Sequence, residues 1–112
     1  MRGLTLLVVS STLIWAVEVG SYAALFPAFA LGLSAASFWP AALLMAVVFN
    51  LITLVPSSPG YVGSLQFAGV LALSAFGVGA AEGLAVSVIA HASQLAVVLT
   101  LTAWAVWAVR RR

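Results

Sequence analysis

Apolar residues fill this chain in long runs, separated by short clusters of proline, glycine and serine, and the pattern divides it into four segments. The first run covers residues 4–26 and ends at Pro27, which removes a backbone donor and crowds the preceding turn. Residues 28–33 either prolong this segment beyond a kink or form a loop at the interface, and residues 34–37 read as a connection. Phe38 and Trp39 suit a membrane–water boundary and Pro40 suits the first turn of a helix, so the second segment is expected over residues 40–55. Pro56 stops it.

The stretch Pro56-Ser57-Ser58-Pro59-Gly60-Tyr61-Val62-Gly63 cannot form a regular helix. It is short, uncharged and flanked by apolar runs, as expected of a helix interrupted within or near a membrane. Irregular backbone is tolerated at that depth only where it is buried in protein or lines a wet cavity. The break is therefore expected to be enclosed among helices. The third segment, over residues 64–81, crosses a bilayer only if it continues through Gly77-Val78-Gly79; otherwise it is a re-entrant half-helix. The fourth covers residues 83–109 and ends in Trp104, Trp107 and three arginines, the usual order of an interfacial anchor. The pattern predicts an all-α, polytopic membrane helix bundle: one transmembrane domain over residues 1–112, with a Pro/Gly-broken helix in its middle.

Composition strengthens this reading. Hydrophobic residues make up 65% of the chain and charged ones 5%, where a soluble domain carries about 25%. A water-soluble fold of this size cannot hide so much apolar surface. A secretory signal also begins with a basic residue and an apolar run, but this run is too long for one and holds Glu18, so the helix is read as retained.

Charge adds orientation. The net charge of +2 arises from Arg2, Arg110, Arg111 and Arg112 against Glu18 and Glu82. Four arginines split between the two ends make no face for nucleic acid, and read instead as cytoplasmic topology signals. Both termini are expected in the cytoplasm and the chain in the inner (plasma) membrane. That needs an even number of crossings: four if the third segment spans, or two with re-entrant pieces. Four is the favoured count, with the break toward the cytoplasmic side. The absence of cysteine excludes disulfides and thiolate metal sites, and a single histidine makes no metal site, so no cofactor is expected. Serine, histidine and glutamate fall on separate segments with no nucleophile motif, and no enzyme activity is expected.

The polar residues inside the apolar runs require a reason, because an ionisable side chain near the bilayer centre costs about 2.5–3.5 kcal/mol on insertion scales. Helical spacing puts Ser11, Trp15, Glu18 and Tyr22 on one face. Glu18 reads as a proton or cation site or an anchor for a polar substrate group, or else as a hydrogen-bonded link between helices. Ser87, His91 and Gln94 form a second stripe, with Thr102 further along. His91 can bind a headgroup phosphate or shuttle protons, or simply join helices. Asn50 is placed to bond the carbonyls freed by the break, and Glu82 suits a helix N-terminus. The break is either a tight loop or a broken-helix site whose amides, with Ser57 and Ser58, bind anionic groups. Gly60 and Gly63 would then let a phosphate approach the backbone.

The stretch from Pro56 through Gly63 to Ser64-Leu65-Gln66 resembles the hallmark of the lysylphosphatidylglycerol synthase transmembrane region, or flippase-like integral membrane proteins. That hallmark runs P-x-x-P-G-x-x-G-x-x-E/Q and is often followed by a stretch ending in F-G-V, matched here by Phe76-Gly77-Val78. His91 matches the His or Arg of the family's last helix, and Trp15 and Glu18 suit the helix that precedes the region. Many branches carry an acid where this chain has Gln66. The resemblance implies a membrane protein that binds or moves polar lipids or lipid-linked precursors. It also implies that the chain corresponds to the C-terminal part of a longer family domain. The soluble synthase domain of some members is absent from this sequence, so lysine transfer to lipid is not expected of it.

The expected site comprises Ser57, Ser58, Pro59, Gly60, Tyr61, Gly63 and Gln66 around the break, with His91, Gln94 and Glu18 from the flanking helices. The expected partner is a membrane phospholipid or lipid-linked substrate, with a homo-oligomer or larger membrane complex also in view. Two alternatives remain open: a small proton-coupled multidrug-type exporter using Glu18, and a non-transporting structural subunit of a membrane complex.

Overall fold

A computed structural model describes residues 1–111 of the chain. It is all-α among those residues, with α1 at Arg2–Leu25, α2 at Ala35–Ile52, α3 at Ser64–Ser74 and α4 at Ala80–Arg110. Short 3-10 turns follow α1 at Phe26–Ala28 and lead into α3 at Pro59–Tyr61. Three stretches are long and apolar enough to cross a membrane, namely Arg2–Ala28, Ala35–Ile52 and Ala80–Arg110.

The third segment is shorter than the hydrophobic pattern predicts. α3 stops at Ser74 because Gly77 adopts a left-handed φ of 78°. The N–H of Gly77 then bonds the Ser74 carbonyl at 3.0 Å and that of Val78 bonds the Leu73 carbonyl at 3.3 Å. This is the glycine-terminated closure that satisfies the last carbonyls of a helix. With 11 residues, α3 is about 16 Å long and does not form the expected span over residues 64–81.

Two other boundaries also differ. α2 begins at Ala35, five residues before Pro40. Ser34 caps it, its Oγ accepting the Ser37 N–H at 3.2 Å, which satisfies an orphan donor of the first turn. Pro40 therefore lies inside the helix, where it forgoes one bond to Ala36. Residues 28–33 do not prolong α1: Phe29 is extended and Gly32 has a φ of 65°, so they form the α1–α2 loop.

The core follows helical periodicity. α2 buries Ala41, Ala42, Met45, Ala46 and Phe49, α3 buries Leu65, Ala68, Gly69, Ala72 and Leu73, and α4 buries Gly83, Val86, Ser87, Ala90 and His91. Each set recurs every three to four residues, which makes one continuous stripe per helix. Small residues bring the backbones close, and a Cβ added to Gly69 would collide with Ser87. α1 joins through its C-terminal half, burying Tyr22, Ala23 and Phe26. The Tyr22 ring meets Phe49 edge-on at 5.5 Å, and that of Phe26 meets Phe38 at 5.6 Å.

These contacts make α1 antiparallel to α2, and the Gln66–His91 and Gly69–Ser87 pairs make α3 antiparallel to α4. The α2–break–α3 unit thus rises from one end of the bundle and returns toward it, as a re-entrant hairpin does. α1 and α4 continue past its tip. From Glu18 back to Arg2 and from Gln94 on to Arg110 are 16 residues each, about 24 Å of helix. Residues 1–17 and 95–107 are exposed throughout, as apolar helix facing lipid can be.

Candidate functional site

Polar side chains from all four helices gather at the level where the hairpin ends. Asn50 donates from Nδ2 to Glu18 Oε1 at 2.8 Å and to the Ala46 carbonyl at 2.9 Å. Gln94 donates from Nε2 to the Tyr22 hydroxyl at 2.7 Å, and that hydroxyl reaches Glu18 Oε1 at 3.4 Å. One relay therefore ties α4 to α1 and α1 to α2. A second relay begins at the break: Gly63 donates its N–H to Gln66 Oε1 at 2.7 Å, and Gln66 Nε2 lies 3.1 Å from His91 Nδ1. Helical spacing builds both. Tyr22 stands one turn after Glu18 on α1, and Ser87, His91 and Gln94 share a face of α4. His91 is 6% exposed and Ser87 fully buried, the Ser87 hydroxyl bonding the Gly83 carbonyl at 2.6 Å.

The break is not enclosed as expected. Of residues 56–63, Tyr61 is half-buried and the others are exposed. Its polar groups instead satisfy one another. Ser57 Oγ lies 3.1 Å from Ser64 Oγ, Ser58 Oγ donates to the Val62 carbonyl at 2.5 Å, and the Tyr61 hydroxyl donates to the Thr53 carbonyl at 3.0 Å. Pro59 opens the 3-10 turn. Gly60 and Gly63 take positive φ values of 68° and 91°, and Tyr61 between them takes 55°. Left-handed backbone at three of four consecutive positions is what reverses the chain so tightly, and glycine carries it at little cost.

The structure therefore divides the expected site into three parts. Glu18 and Gln94 share one relay, Gln66 and His91 share the other, and Ser57, Ser58, Pro59 and Gly60 lie on the exposed rim. Asn50 serves Glu18 and the Ala46 carbonyl rather than carbonyls freed by the break. Tyr22 and Thr53 complete the arrangement. The signal for Tyr22 was its place one turn from Glu18; Thr53 has no such mark in sequence, since its ties to the site are the Tyr61 hydroxyl on its carbonyl and its own hydroxyl on the Asn50 carbonyl.

Two hollows meet here. One of about 160 Å³ is lined by Glu18, Phe49, Asn50, Thr53, Leu65 and Gln94. The other, of about 290 Å³, is a groove between α1 and α4 lined by apolar residues including Leu25, Val97 and Val98, with Ser21, Tyr22, Ser93 and Gln94 at its polar places. Gln94 borders both. A polar recess thus adjoins an apolar trough that opens sideways from the helices.

The family model of the lysylphosphatidylglycerol synthase TM region matches residues 1–102. Neither a curated protein nor a solved structure matches the chain. A match over nearly the whole length, together with three apolar helices of crossing length, identifies the chain as a multi-pass membrane protein that belongs to the lysylphosphatidylglycerol synthase TM region family.

Proposed function

We propose that the chain binds polar lipids or lipid-linked precursors and eases their passage between the two leaflets. The observation that carries this reading is the junction at Gln94 of a polar recess and an apolar trough. An amphiphile fits such a junction: its headgroup in the recess by Glu18, Asn50 and Gln94, one acyl chain along Leu25, Val97 and Val98. Burying the chain's methylenes against α1 and α4 exchanges lipid for protein at little net gain. Selectivity then rests with the headgroup, for which unmade hydrogen bonds are expensive at this depth. Gln66 and His91 stand behind the recess, and the exposed break with Ser57, Ser58 and Gly60 offers a phosphate its first contact at the rim. The arginines at both ends support a cytoplasmic position for both termini, with the protein in the inner membrane. No covalent chemistry is part of this reading: the Ser87 hydroxyl and the His91 ring are engaged by Gly83 and Gln66.

The test is transbilayer movement of a fluorescent phospholipid in proteoliposomes. Val97→Trp fills the trough, and Gln94→Leu removes the shared polar group. Both are expected to slow movement strongly while the melting temperature of the protein changes little. A Val97→Trp protein that melts like the wild type and moves lipid at the wild-type rate refutes the reading.

A further inference from the structure

We infer that the recess lined by Glu18, Asn50, Thr53 and Gln94 binds a monovalent alkali cation. The inference deepens the lipid reading and rests on it for its consequence, a cation that travels with or gates the headgroup; the binding itself is independent of lipid.

The direction of each hydrogen bond carries the argument. The Ala46 carbonyl can only accept, so its bond fixes the Asn50 amide with nitrogen toward α2 and Glu18, and the Asn50 Oδ1 takes no hydrogen bond from the described residues. The Tyr22 hydroxyl gives its proton to Glu18 and so accepts from Gln94 Nε2, and Gln94 Oε1 takes no hydrogen bond from the described residues. Both donors that reach Glu18 go to Oε1, which leaves Oε2 without a partner among the described residues. Thr53 spends its hydroxyl proton on the Asn50 carbonyl at 2.7 Å and retains its oxygen lone pairs. The remaining lining, Phe49 and Leu65, is apolar. Apart from the second N–H of Gln94, the uncommitted polar groups of the recess are therefore oxygen acceptors, and one belongs to the sole side chain there that can carry negative charge.

Such a lining, rich in oxygen acceptors and holding the Glu18 carboxyl group, disfavours anions. It matches a hard cation, which is held by carboxylate, amide and hydroxyl oxygens together with water. A single carboxyl group suits one positive charge rather than two. Transition metals are disfavoured because the one imidazole, His91, is turned to Gln66. Arg2 and Arg110 cannot supply the charge, since they lie 16 residues away along their helices from Glu18 and Gln94, about 24 Å. The volume of about 160 Å³ accommodates an ion with a few waters, each of which occupies about 30 Å³ in the liquid.

The experiment is titration of the purified protein in nanodiscs with sodium chloride, against choline chloride at equal ionic strength, read by calorimetry and by equilibrium binding of radiolabelled sodium. One saturable sodium per chain is expected, abolished by Glu18→Gln and weakened by Asn50→Leu. Melting in choline buffer checks that each variant is folded; if Glu18→Gln is not, Gln94→Leu replaces it with the same expected weakening. Sodium and choline titrations that coincide, or a folded Glu18→Gln that binds sodium like the wild type, overturn the proposal. Val97→Trp separates the two readings. It is expected to stop lipid movement and leave sodium binding intact. Sodium binding by a wild-type protein that moves no lipid refutes the lipid reading alone, and lipid movement without sodium binding refutes the cation site alone.

Discussion

Gln66 donates to His91, and the direction of that bond is set by a third group. The Gly63 N–H occupies the Gln66 oxygen at 2.7 Å, so the nitrogen must face His91 Nδ1 at 3.1 Å. A donor facing Nδ1 requires that nitrogen to accept, which puts the ring proton on Nε2. Nitrogen NMR of histidine-labelled protein is expected to show the Nε2–H tautomer. In Gln66→Glu, a carboxylate faces both Gly63 and His91 and can only accept, so the proton is expected to move to Nδ1. An unchanged tautomer in that variant contradicts the geometry.

The same pair ties the tip of the hairpin to α4. The tip of the hairpin and the α4 histidine are joined through the side chain of residue 66, which supplies the acceptor for Gly63 as glutamine and would as glutamate. Gln66→Leu removes it and leaves the N–H of Gly63 unpaired. Faster amide exchange is expected over residues 60–66, measured against an unaffected α4.

Packing of α3 on α4 depends on Gly69. Alanine at this position meets the Ser87 side chain and approaches Phe49 at 3.1 Å. Overpacking of this kind costs about 1–3 kcal/mol, so Gly69→Ala is expected to lower stability in reversible unfolding in mixed micelles. Adding Ser87→Gly opens the space, and the pair is expected to be less than additive. Full additivity would place the damage elsewhere.

The Tyr22–Gln94 bond joins the first helix to the last. Hydrogen bonds between membrane helices average about 0.6 kcal/mol and reach about 1.7 kcal/mol. A double-mutant cycle of Tyr22→Phe and Gln94→Leu is expected to give a coupling in that range. A coupling of zero would show that this bond adds nothing to the hold of α4 on α1.

Gly77 closes α3 with left-handed backbone, a conformation that costs other residues about 1–2 kcal/mol. Gly77→Ala is expected to destabilise by about that amount. Replacing Gly3, which is exposed in α1 with nothing near it, is expected to do no harm.

Hydropathy made the membrane bundle legible, because apolar runs of crossing length have few soluble explanations. The break was legible for the same reason that it exists: two prolines and two glycines leave the backbone little else to do. The length of α3 was not. Gly77 reads equally well as a helix residue in an apolar stretch or as a terminator, and the buried side chain of Val78 helps decide between them. Pro40 misled in the opposite direction, since a Ser34 cap six residues upstream outweighs one lost bond. Within the site, Glu18, His91 and Gln94 stood out because polar side chains in apolar runs demand partners. Which partners they take depends on helix register: Glu18 finds Asn50 32 residues away, and Gln94 finds Tyr22 72 residues away.

The brevity of α3 has a consequence for how the protein is made. A helix of about 16 Å reaches only about half-way across a hydrocarbon layer of about 30 Å, so the insertion machinery cannot release it into lipid by itself. Its seat is formed by α2 on one side and by Gly83, Val86 and Ser87 of α4 on the other. α3 must therefore wait at the channel until α4 has been synthesised, and the two must leave together. The polar layer around Glu18 is completed only at that last step.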